Sequence, residues 1–198
     1  TLENETYQEV LDALEGAEGE LRIARQLVKH SRNDGIPDSK QITVDQATVS
    51  DFETRLEHLK KEIESNRRDF KSLDRQATQL QVDLSLINGR LRNELKTAKE
   101  ASASILQAAE VVFNAAQWRG EYNIVVIGRP GADELNAARA SLASGNYQDA
   151  VLQAHEATRR ASNGITAAVA QVSRHRRLMA RRAREARRVR TDVGWDQF

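Results

Sequence analysis

The chain has 198 residues, of which 30% are charged and only 5% aromatic, with two prolines and no cysteine. That balance excludes a disulfide scaffold and thiolate metal sites, and it suits narrow apolar seams between helices better than a thick compact core. The net charge of +1 hides an asymmetry: residues 1–128 carry 17 basic against 22 acidic side chains, and residues 129–198 carry 13 against 7.

The first predicted element is a helix over residues 1–32. Tyr7, Val10, Leu14, Ala17, Leu21, Ala24 and Val28 recur at spacings of three and four, which puts one apolar stripe on one helix face. The same helix holds seven acidic residues before position 21 and no Lys or Arg there. It stops before Asn33, Asp34, Gly35 and Pro37, and residues 33–45 read as a loop.

The strongest pattern follows. From Val49 a heptad seam runs Val49, Leu56, Ile63, Phe70, Ala77, Leu84, Leu91, Ala98, Ile105, Val112 in one column. The second column, three residues on, reads Phe52, Leu59, Asn66, Leu73, Leu80, Ile87, Glu94, Ala101, Ala108, Ala115, so that 18 of 20 positions are apolar. The spacing predicts one central coiled-coil helix over residues 46–117, opened by Thr43 and Gln46 at capping-box spacing and ended by Gly120. At ~1.5 Å per residue such a helix is on the order of 100 Å long. Asn66 and Glu94 read as register-fixing or contact residues in the seam.

Residues 118–131 read as an extended connector, within which Tyr122–Ile127 is the one strand-like run. It invites two readings, a loop packed on the helices or an edge paired with a second chain. The following Gly128-Arg-Pro-Gly131 is not a phosphate loop, because Ala132-Asp133 stands where Lys-Ser or Lys-Thr is needed.

Residues 132–190 are predicted as a helical hairpin with a long last helix, and 191–198 as a tail. Within 135–157, Leu142, Gly145, Tyr147, Ala150 and Ala157 resemble one hairpin of a tetratricopeptide repeat, which implies a stable helical turn at Gly145. The last seam runs from Tyr147 through Val151, Ala154, Thr158, Ala161, Ile165, Ala168, Val172, His175, Met179, Arg182 and Ala186 to Val189, weakening toward its Arg-rich end. Ala in these positions and Gly164 predict a close helix approach. The fold class is therefore all-α: an elongated antiparallel coiled coil on one ~70-residue central helix, with flanking helices folded back on it. The three long helices are similar in general form to spectrin-like and to curved membrane-binding helical proteins.

The candidate functional feature is basic. Arg174, Arg176, Arg177, Arg181, Arg182, Arg184, Arg187, Arg188 and Arg190 stand against one acid, Glu185, between positions 174 and 190. They are candidates for contact with a polyanion or a partner: nucleic-acid phosphates, an anionic membrane surface, or the acidic first helix of the same or a second chain. The four histidines form no pair at metal-ligand spacing, and no catalytic arrangement stands out among the carboxylates, so no metal, cofactor or small-molecule substrate is expected.

The chain starts at Thr1 rather than Met and reads as a piece of a longer protein. The expected role is a structural scaffold that joins proteins and self-associates as a dimer, in the cytoplasm or at a membrane face. A membrane-surface or nucleic-acid-binding module built on the Arg-rich helix is the alternative.

Overall fold

A computed structural model describes residues 2–65 and 69–193. Among them the protein is all-α, with α1 (Leu2–Asn33), α2 (Lys40–Glu64), α3 (Phe70–Gln117), α4 (Ala132–Ala143) and α5 (Tyr147–Val193). The long central helix is α3, with 48 residues. It is shorter than the seam implies, because the seam counted from Val49 is carried by two helices. Ser65 closes α2, its amide donating to the Lys61 carbonyl at 3.0 Å, and the Asp69 side chain accepts from the Ser72 amide at 3.2 Å, as an N-cap does. Ile63 and Phe70 remain seven residues apart whether or not the backbone between them is helical, so the heptad phase passes through the break. Asn66, read above as a register residue, lies outside the described residues.

The helices divide into two compact units, one of Thr1–Ser102 with Ala140–Asp149 and one of Ala103–Arg139 with Ala150–Phe198. In the first, α1 and α2 are antiparallel. Glu18 pairs with Lys60, and Arg25 meets Glu53 at 2.6 Å. α2 also runs antiparallel to α3, since Asp45 bonds Arg90 at 2.8 Å and Ser39 bonds Glu94 at 2.9 Å while Leu59 and Leu80 line one cleft. Tyr7 packs edge-on against Phe70 at 5.5 Å, and the Asn88 amide donates to the Glu20 carbonyl at 2.9 Å, so α1 and α3 run in the same sense. The three stripes Val10, Leu14, Ala17, Leu21, Ala24; Ile42, Val49, Phe52, Leu56, Leu59; and Leu73, Leu80, Leu84, Ile87, Leu91 are buried against one another.

Two corrections concern the start of α2. Its N-cap is Ser39, whose hydroxyl accepts from the Ile42 amide at 3.1 Å; Thr43 instead donates to the Ser39 carbonyl at 3.1 Å. Residues 40–45 are therefore helix rather than loop, and the seam extends back through Ile42 and Asp45. Asp45 is fully buried: its Oδ1 accepts from Arg90 at 2.8 Å and from Gln41 at 3.0 Å. A carboxylate in a core position does not read as seam, which is why spacing alone leaves this turn in the loop.

The breaks predicted at Gly35 and Gly145 occur, whereas Gly120 lies three residues past the end of α3 at Gln117 and has an extended backbone. At Gly35, φ is 64° and the Ile36 amide reaches back to Ser31 at 3.2 Å. At Gly145, φ is 74°, and amides of Gly145 and Asn146 bond Leu142 and Ser141 at 3.0 and 2.8 Å, the Schellman pattern that ends a helix with a left-handed residue. Tyr147, the next seam residue, is buried and donates its hydroxyl to the Pro37 carbonyl. Desolvation there raises the phenol pKa.

In the second unit the buried residues are small: Ile105, Ala108, Val112 and Ala115 of α3, and Ala154, Ala157, Ala161 and Ala168 of α5. α4 lies antiparallel to α5, with Glu134 bonded to Arg160 at 2.8 Å. α5 runs in the same sense as the last turns of α3, because Gly131 lies against both Val112 and Ala157 while Gly120, just past α3, lies against Val172. The folded-back layout expected from the sequence makes this pair antiparallel. The connector is responsible for the difference: it returns along α5 before α4 begins, so the connector and α4 supply the reversed run of chain and α5 comes back up. Gly164 accordingly admits Pro130 and Val126 of the connector.

The strand-like run is a tight hairpin turn followed by extended chain. Tyr122 and Asn123 have φ of 62° and 58°, the Ile124 amide donates to Glu121 at 3.3 Å, and the Gly120 amide donates to Ile124 at 2.8 Å. Arg119 and Val125 form an isolated bridge. Positive φ at both central residues is the type I′ turn that closes two-residue hairpins. Val126 is then buried beside Gly164, while Ile127 is exposed.

Candidate functional site

The Arg-rich segment belongs to the last turns of α5 in the second unit. Among the residues of α5 whose burial is described, Val172 is the last buried one, and every residue from Ser173 to Arg188 is exposed. The seam that continues on paper through His175 and Met179 is not buried beyond Val172. The connector hairpin meets the exposed part of the helix near its start: the Tyr122 ring lies 4.4 Å from that of His175, and Glu121 forms a two-pronged pair with Arg176, one contact at 2.8 Å. Arg176 holds the Glu121 carboxyl below its usual range, and the carboxylate raises the guanidinium in turn.

On a helix at about 100° per residue, Arg174, Arg177, Arg181, Arg184 and Arg188 follow one another at steps of three and four and make a single stripe. Arg182 and Arg187 project to the two other sides. Glu185 sits within the stripe and bonds Arg181 at 2.9 Å. The side chain of Arg190 lies outside the described residues. Of the acidic residues of α1, Glu18 pairs with Lys60 and Glu20 accepts from Asn88 at 2.7 Å, both within the first unit. About five turns before the basic run, Glu156 holds Arg159 and Arg160 at 2.7 and 3.0 Å, and its carboxyl is pulled down to about 2, first by Arg159 and then by Arg160.

A second surface was not anticipated. In α3, Leu106, Ala109, Phe113 and Ala116 recur at steps of three and four, offset by one residue from the buried seam, and Leu106 and Phe113 are 73% and 62% exposed. Ser102, one turn earlier, continues the same column with another small side chain. Counting only two heptad columns hides this third one. Glu94, read as a seam contact, does make one: it accepts from the Ser39 hydroxyl that caps α2.

Among the described residues no group of three His, Asp or Glu side chains is placed to hold a metal ion, and no helix is long and apolar enough to cross a membrane. The chain matches no family model, no curated protein and no solved structure.

Proposed function

We propose that this protein is a structural, non-enzymatic module that joins protein chains, itself among them. The observation that carries this reading is the outer stripe of α3. A helix of a globular protein normally turns its heptad-spaced apolar residues inward, and α3 already does so with Ile105, Ala108, Val112 and Ala115. A further stripe of alternating large and small residues, with Leu106 and Phe113 largely exposed beside Ala109 and Ala116, has the pattern by which one helix receives another, the large side chains fitting over the alanines. The occupant favoured is the same stripe of a second copy, because a small–large alternation is complementary to itself across a twofold axis.

Sedimentation velocity tests this. The wild type should sediment as a dimer at micromolar concentration, and Leu106→Lys with Phe113→Lys should return it to monomer without changing its melting temperature. A wild type that stays monomeric at about 100 µM, where even an association worth about 5.5 kcal/mol is half formed, removes the reading. The exposed arginines of α5 favour a second role, contact with a polyanion.

A further inference from the structure

From Ser173 to Arg188 every residue of α5 is exposed, so this part of the helix has no buried seam to stabilise it. Here the conflict is sharper, since Arg177 with Arg181 and Arg184 with Arg188 are like charges one turn apart, and Glu185 is the one acid of the run. Such a segment gains most from a ligand that brings many negative charges in a regular row. We propose that this part of α5 is a sequence-independent binding site for the phosphate backbone of duplex DNA, with the stripe Arg174, Arg177, Arg181, Arg184, Arg188 as its contact face. This goes beyond the self-association above and does not depend on it.

Three features select this partner. The stripe covers 14 steps of helix, about 21 Å at 1.5 Å each, and a duplex presents one phosphate per ~1.7 Å of its axis along that length. A single helix with its side chains is about 10–12 Å across, and the B-form major groove is about 12 Å wide. Because residues 177–188 are exposed throughout, the helix can enter such a groove with its arginine stripe against the phosphates of one strand. An anionic membrane is the poorer fit. A surface helix needs a bulky apolar face, whereas the face opposite the arginine stripe offers only Met179 with Ala183 and Ala186, and between 173 and 188 there is no aromatic residue.

The test is fluorescence anisotropy of a labelled 25-base-pair duplex between 50 and 200 mM salt. Five phosphate contacts predict a log–log salt slope of about −4.5, hence a loss of affinity of roughly 500-fold over that range. Arg177→Gln, Arg181→Gln, Arg184→Gln and Arg188→Gln combined should reduce the slope to about −1 and weaken binding at 50 mM salt at least 100-fold. The melting temperature should be unchanged, since all four side chains are exposed. A control that neutralises the same number of exposed cations elsewhere, Arg22, Lys71, Arg92 and Lys96, each to Gln, should stay within threefold of wild type. Absence of binding at 50 mM salt overturns the proposal. So does an equal loss in the control, which would reduce the effect to net charge. Binding to vesicles containing 30% phosphatidylserine in place of the duplex would overturn it in favour of a membrane surface. A dimer dissolved by the quadruple variant with no duplex bound would overturn it in favour of a second copy.

Discussion

At the scale of single residues, the second unit rests on glycines whose roles differ. Gly131 and Gly128 both have positive φ, at 88° and 74°, yet a side chain on Gly131 would run into the Ala157 carbonyl while one on Gly128 meets nothing within 4 Å. The left-handed backbone alone costs a non-glycine about 1–2 kcal/mol. Gly128→Ala should therefore lose about 1 kcal/mol, and Gly131→Ala at least about 3 kcal/mol, because the connector and α5 backbones must separate as well. Thermal unfolding of the two variants decides this, and equal losses would mean that Gly131 is required only for its φ. Asp45 and Asn88 belong to the same scale. Each is a buried polar group in a core stripe, and each reaches a partner nearer the surface, Arg90 and Glu20, which satisfies one side of the group. The other oxygen of Asp45 and the amide oxygen of Asn88 have no hydrogen-bond partner among the described residues.

At the scale of elements, the decisive feature is the reversal between α2 and α3. A continuous helix would hold residues 58 and 79 apart by 21 steps, about 32 Å. In the hairpin, His58 and Gln79 line one cleft, and packed helices have axes about 8–10 Å apart. Spin labels on His58→Cys and Gln79→Cys should accordingly report a separation under about 20 Å. A distance near 32 Å would restore the single helix. The turn is written in the sequence as Ser65, Asn66 and Asp69, a C-cap, a polar seam residue and an N-cap ahead of Phe70. The unbroken seven-residue period outweighs them, since periodicity reports which residues are buried together and says nothing about chain direction.

For the whole molecule, stability is spread over two units that share α3 and α5, with a basic helix end exposed from Ser173 to Arg188. Hydrogen exchange should show slow amides where the seams are buried, up to Val172, and fast exchange from Ser173 on, because unpacked helix opens locally at little cost. Leu84→Asp, at a position with no exposure, should destabilise by more than about 3 kcal/mol and abolish protection in the first unit. Glu64→Ala, on an exposed position, should change stability by less than about 0.5 kcal/mol. Equal melting temperatures for these two would show that the stripe around Leu84 is not the core.

What the amino-acid sequence determined by itself was local and periodic. Seam spacing placed the apolar faces of α1, α3 and α5, glycines with left-handed backbone marked the ends of α1 and α4, and the run of arginines named the candidate site. Burial at a fixed helical period and the steric freedom of glycine are properties of a few neighbouring residues, so they can be read without the fold. Direction and exposure are not. Only the tertiary structure decided that the Val49 seam folds back between α2 and α3, that α5 runs with α3 because the connector returns between them, and that the arginines after Val172 stand exposed. Each of those depends on which distant segment occupies the facing side of a helix, and a seam of Leu and Ala accepts a neighbour running either way.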